Sequence, residues 1–173
     1  MSRSVLYYIL VFITLLLSQV LICNHIILFD VASLMVFIYL IISMPLSISV
    51  NFLLTIAFFL GLIVDVFSDT LGVNCLASVV VAMSCRPVLS LYNSRENYNK
   101  NLIPTMKTLG FATYFKYLTT MVFIYFVISF VAEYFSFMNF GRMSIKIFSS
   151  TLLTTFVLIG IDSLIINRRE KRL

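Results

Sequence analysis

The 173-residue chain carries 12 Lys and Arg against 7 Asp and Glu, a formal net charge of +5. Hydrophobic residues make up 61% and charged residues 11%, against about 45–50% and about 25% in soluble domains; the mean hydropathy is +1.08. So few polar side chains cannot coat a water-soluble globule, and long apolar runs exclude the short alternating segments of a barrel. An all-α polytopic membrane protein of one domain is therefore expected.

The first apolar run, residues 5–23, follows Arg3. At about 19 residues it exceeds the roughly 7–15 of a signal h-region, and no small-x-small cleavage site follows. Ile22 before Cys23 also departs from a lipoprotein box, so a retained first membrane helix is expected. It contains neither Ala nor Gly, and Gln19 is placed to hydrogen-bond to a neighbouring helix. Asn24 and His25 form a turn; a second helix is expected over 26–43, starting at Ile26 or at Val31, where Asp30 is placed to cap it. Pro45, in Met44-Pro-Leu-Ser47, ends it because proline cannot donate to the helical ladder.

A third helix is expected over 48–66 and a fourth over 74–92, joined by a polar turn at 67–73. Gly61 and Asp65 are four residues apart and share one helical face. Gly61 lets another helix approach, and Asp65 puts a carboxylate near the end of a membrane-length segment, where an ionisable group is costly. Asp69, Gly72 and Asn74 supply turn chemistry. Two readings of Asp65 and Asp69 follow: a proton- or cation-binding pair, or an end-of-helix turn in which Asp65 bonds Thr70, Asn74 or a partner protein. The fourth helix holds the small residues Ala77, Ser78, Ala82 and Ser84, suited to close packing, then Arg86-Pro87, where a kink is expected.

Residues 93–110 form the longest polar stretch and cannot lie in lipid. Pro104 suits a first helical position. A helix from there to Phe137 would exceed the membrane's thickness, so the fifth span is set at 108–137, with Lys107 and Lys116 reaching for headgroups. A loop over 135–144 carries Gly141 and Arg142. A sixth span over 145–167 carries Asp162 near its end, and 168–173 is a basic tail, an anchor or a site for anionic lipid or a cytoplasmic partner.

Six helices put both termini on one side. Arg3, Arg86, Arg95, Lys100, Lys107, Lys116, Arg168, Arg169, Lys171 and Arg172 fall there; Arg142 and Lys146 fall opposite. This positive-inside bias places both ends in the cytoplasm. Arg86 and Asp162 then lie near the same membrane face and are expected to pair. The charges sit at the ends of apolar runs, which reads as topology and not as a nucleic-acid surface.

No catalytic, metal or cofactor constellation is visible. The chain has no G-x-S-x-G, H-E-x-x-H or P-loop motif, and its one histidine, His25, lies at a helix end. Cys23, Cys75 and Cys85 form no C-x-x-C pair. A non-enzymatic protein is expected.

The stretch Leu60-Gly-Leu-Ile-Val-Asp65, the turn with Gly72, then Ala77-Ser-Val-Val-Val-Ala82 and Arg86-Pro87 resemble the MreD family of rod shape-determining membrane proteins, in its Bacteroidetes-like branch. The likeness is strongest over about residues 25–92; the last third matches in hydropathy. Family members carry a glycine where Ala57 stands here. The resemblance implies an inner-membrane component of the cell-wall elongation complex, with MreC, MreB, RodA and a penicillin-binding transpeptidase as partners and the third and fourth helices shaping a docking surface for MreC. A second reading shares the helix count and size: a substrate-binding membrane subunit of a vitamin transporter, similar to the S-components of energy-coupling-factor transporters. The lack of Ala in the first helix counts against it. A channel or carrier using Asp65 is a third class; few charges lie deep in the membrane to support it.

Overall fold

The protein is described by a computed structural model over residues 14, 18–19, 27–28, 32–70, 72–92, 103–133 and 140–170. Its elements are β1 (Ile27–Leu28), β2 (Ala32–Ser33), α1 (Ile38–Ile42), α2 (Val50–Ser68), α3 (Val73–Tyr92), α4 (Met106–Leu109), α5 (Phe111–Glu133) and α6 (Phe140–Glu170). The two short strands pair antiparallel, with Ile27 opposite Ser33 and Leu28 opposite Ala32.

Among the described residues four helices are long and apolar enough to cross a membrane: α2, α3, α5 and the Met143–Ile165 part of α6. The 19 residues of α2 give about 28 Å at 1.5 Å per residue, close to the hydrocarbon thickness of about 30 Å. Ser49 caps its start by accepting the Phe52 N–H at 3.4 Å. Asp69 ends it in the left-handed conformation, with φ 52°. The helix α3 runs through Pro87 without interruption.

α3 lies at the centre, packed on α2, α5 and α1, while α6 packs on α5 and β2. Ala57 and Gly61 of α2 and Ala77, Ser78 and Ala82 of α3 are all buried. Small side chains let the helix backbones approach, which matters in lipid because van der Waals contact replaces the hydrophobic drive. The large core groups are Tyr114, Tyr117, Leu118, Met121 and Tyr125 of α5, against Leu60, Val81 and Leu89. Outward stand Phe52, Phe59, Phe67, Phe148 and Phe156, a surface suited to lipid and not to water.

The third and fourth expected helices agree with α2 and α3 to within two residues at each end. The second does not: 26–43 is not one helix, and only Ile38–Ile42 is helical after the β1–β2 pair. Its backbone is drawn into other bonds. Ser33 N–H donates to Ser150 Oγ at 3.0 Å, and Val36 N–H to Gln19 Oε1 at 2.7 Å. The Gln19 amide donates to Leu34 C=O at 3.1 Å. Side chains competing for backbone groups in this way displace the helical ladder.

The fifth span is also divided. Pro104 and Thr105 precede α4, and the chain breaks at Gly110 (φ +77°) before α5 begins. That φ is open to glycine at little cost. The sixth helix is longer than expected: it starts at Phe140, so Gly141 and Arg142 are helical and not loop, and residues 168–170 continue it. One glycine near a helix start costs about 1 kcal/mol, too little to stop a helix this long. Of the first expected helix only Thr14, Ser18 and Gln19 are described; Cys23, His25, Asp30, the stretch 93–102, residues 134–139 and 171–173 lie outside the described residues.

Candidate functional site

The chain gathers its polar groups where α2 meets α3. Asp65 is 5% exposed. Its Oδ1 accepts the Thr70 hydroxyl at 2.5 Å, the Asn74 N–H at 3.0 Å and the Asn74 amide at 3.1 Å. Its Oδ2 accepts the Cys75 N–H at 2.8 Å. These two backbone donors belong to the first turn of α3, where N–H groups have no helical partner. Gly72, just before the helix, has no side chain to cap them. Asp65 caps them instead, from the previous helix, and its negative charge complements the positive end of the α3 dipole.

Gly61 makes this approach possible. A Cβ there would lie 2.7 Å from Asn74 C=O and 2.8 Å from Cys75 N, and closer still to Cys75 Cα. These are backbone atoms and cannot swing aside. Asn74 extends the lock into the core. Its amide also donates to Thr70 Oγ1 at 3.0 Å, its side-chain oxygen accepts the Tyr125 hydroxyl of α5, and its backbone C=O accepts Ser78 Oγ at 2.6 Å. Asp65 thus ties α2 to α3, and Asn74 carries the lock on to α5.

Of the two readings of Asp65, the bonds to Thr70 and Asn74 match the end-of-helix turn. Asp69 does not share the helical face of Asp65. It is exposed in the αL position, where its N–H donates to Asp65 C=O. Gly72 is exposed at φ +76°, the left-handed region that favours glycine.

Arg86 and Asp162 are not paired. Arg86 Nη2 donates to the carbonyls of Leu46, at 3.2 Å, and Ile48. Those carbonyls sit in the connection around Pro45, which has no helical ladder to use them. Asp162 is fully buried. Its Oδ1 accepts the Tyr39 hydroxyl at 2.8 Å and its Oδ2 the Met106 N–H at 3.0 Å. Buried Tyr114 lies beside it. Each charge has found backbone groups that a nearby chain break left open, so neither needs the other. Asp162 does at the start of α4 what Asp65 does at the start of α3.

A third polar seam runs along α6. Ser150, Thr154 and Asp162 are buried on one face, at multiples of four residues, and hold the 33–39 segment. Thr154 is eleven residues from each end of the Met143–Ile165 span. The irregular backbone it bonds, Ser33 and Met35, therefore lies level with the middle of that span; in a membrane, non-helical chain at such a level survives when protein groups satisfy it.

Among the described residues no three His, Cys, Asp or Glu side chains come together as a metal site. Sequence reading missed Tyr39, Tyr125 and the Ser150–Thr154 pair. The spacing of Ser150, Thr154 and Asp162, four and then eight residues, was the available signal. Set against known protein families, curated proteins and solved structures, the chain has no match.

Proposed function

We propose that the chain is a non-catalytic bacterial inner-membrane protein that works, like members of the MreD family, in the cell-wall elongation complex. It crosses the membrane six times, with the second passage irregular and both termini cytoplasmic. The observation that carries this reading is the use of Gly61 and Asp65. These are the fixed points of the motif that resembles the family, and they lock α2 to α3. A carboxylate saturated by internal donors suits a rigid hairpin that presents a surface better than a group that loads and releases an ion.

The partners in this reading are MreC at the α2–α3 hairpin, RodA and its transpeptidase within the membrane, and MreB or anionic lipid at the basic cytoplasmic segments. Affinity purification of the tagged protein from native membranes tests it. Recovery of cell-wall elongation proteins is the expected result.

One observation favours a second reading, the membrane subunit of a vitamin transporter. The irregular 33–36 segment is held near mid-membrane by Gln19, Ser150 and Thr154, and broken helices at that depth often line solute sites in transporters. Co-purification of ATPase subunits would favour it over the first.

A further inference from the structure

On the lipid-facing side of the α2–α3 hairpin runs an apolar groove of about 600 Å³. Phe58 and Leu62 of α2 and Leu76 and Val80 of α3 form its walls, and Thr70 and Gly72 line its end at the turn between the helices. We propose that this groove binds one acyl chain of a phospholipid whose head carries a primary ammonium, such as phosphatidylethanolamine.

Length, volume and charge argue for that occupant. From Phe58, in the middle of α2, to Asp69 is about 16 Å at 1.5 Å per residue. Half the hydrocarbon core is about 15 Å, so the groove runs from headgroup level to mid-membrane, one leaflet deep. A partner's transmembrane helix would call for a groove along the whole span. At about 30 Å³ per water-sized group the volume takes about 20 methylenes, the content of one chain.

The charge at the mouth selects the head. Asp65 lines the groove near its end at the turn, and Asp69 is exposed in the adjoining turn. Residues 50–85 contain no Lys or Arg. Asp65 is held by uncharged donors among the described residues and is offset in part by the positive end of the α3 dipole, so exposed Asp69 carries most of the charge at this end. An ammonium gains from this potential and an anionic head such as phosphatidylglycerol is repelled. The assignment stands apart from the proposed role in cell-wall elongation and holds or fails without it.

The chain has no tryptophan, so a single one reports on its own surroundings. Leu76→Trp and Leu62→Trp place it in the groove from the two helices; Phe156→Trp, on the exposed face of α6, is the control. Each protein is reconstituted in mixtures of phosphatidylethanolamine and phosphatidylglycerol, with one or the other brominated at the same acyl positions. The quenching gives a relative affinity. The expected preference for phosphatidylethanolamine is about fivefold at both groove positions, the factor for about 1 kcal/mol of surface attraction, and about one at Phe156→Trp. Adding Asp69→Asn should bring it below about twofold. Equal ratios at groove and control positions would overturn the proposal. So would groove tryptophans that neither brominated lipid quenches while Phe156→Trp is quenched, because a second copy of the chain then fills the space.

Discussion

The carboxylate of Asp65 accepts the backbone N–H of Cys75 at 2.8 Å, across the same crossing at which a Cβ on Gly61 would meet the Cys75 backbone. The glycine permits the approach and the aspartate rewards it. Two residues on one face of α2 thereby fix where α3 begins and how closely it packs.

Replacing Asp65 should loosen this hairpin more than any other polar change in it. Asp65→Ala leaves two first-turn amides and the Asn74 side chain without their acceptor. A loss of about 2–4 kcal/mol is expected from the cap and the stranded donors. Asp65→Asn keeps one acceptor oxygen and should lose about half as much. Reversible unfolding in mixed micelles measures both.

Gly61 and Gly160 make a matched pair. Gly61→Ala forces backbone apart and should cost about 1–3 kcal/mol through overpacking. At Gly160 a Cβ meets nothing within 4 Å, so Gly160→Ala should be neutral or gain up to about 1 kcal/mol in helix propensity. The same unfolding measurement decides. Equal effects would mean that the close crossing is not where the structure puts it.

A double-mutant cycle on Arg86 and Asp162 should give almost no coupling, under about 0.5 kcal/mol, since the two groups bond different backbone segments. Arg86→Met alone should loosen the 44–49 connection and raise proteolysis there. Tyr39→Phe, by contrast, should couple to Asp162→Asn by about 1 kcal/mol, the worth of a buried hydrogen bond to a carboxylate.

The irregular segment gives a prediction in exchange rates. Gln19→Leu removes the acceptor of Val36 N–H and the donor to Leu34 C=O. Stranding those groups should cost about 1–3 kcal/mol. Hydrogen exchange at residues 34–37 should quicken by an order of magnitude or more, while α2 is unaffected.

How much of this was legible in the residues differs along the chain. The bounds of α2 and α3 follow from apolar length and from the turn signals at Asp69 and Gly72, because local chemistry decides where those helices stop. Gly61 and Asp65 stand out since both are conspicuous on an apolar face. The break at 33–36 could not be read there. Ile26 to Ser43 is apolar enough for a helix, and the groups that unwind it, Gln19, Ser150 and Thr154, lie 15 to 121 residues from their partners in sequence. The expected Arg86–Asp162 pair failed for a related reason. Opposite charges at one membrane face suggest each other, but backbone groups left open at Pro45 and before α4 were better placed.

The central claim is that the locked α2–α3 hairpin is a surface for recognising partners in the cell-wall elongation complex. Photocrosslinking in native membranes tests it most directly, with benzoylphenylalanine in place of Phe67, exposed at the end of α2, and in place of Phe156, exposed on α6. The account predicts a protein adduct with an elongation-complex component from position 67 and none from position 156. Lipid adducts alone at position 67, or the same protein adducts from both positions, would contradict it.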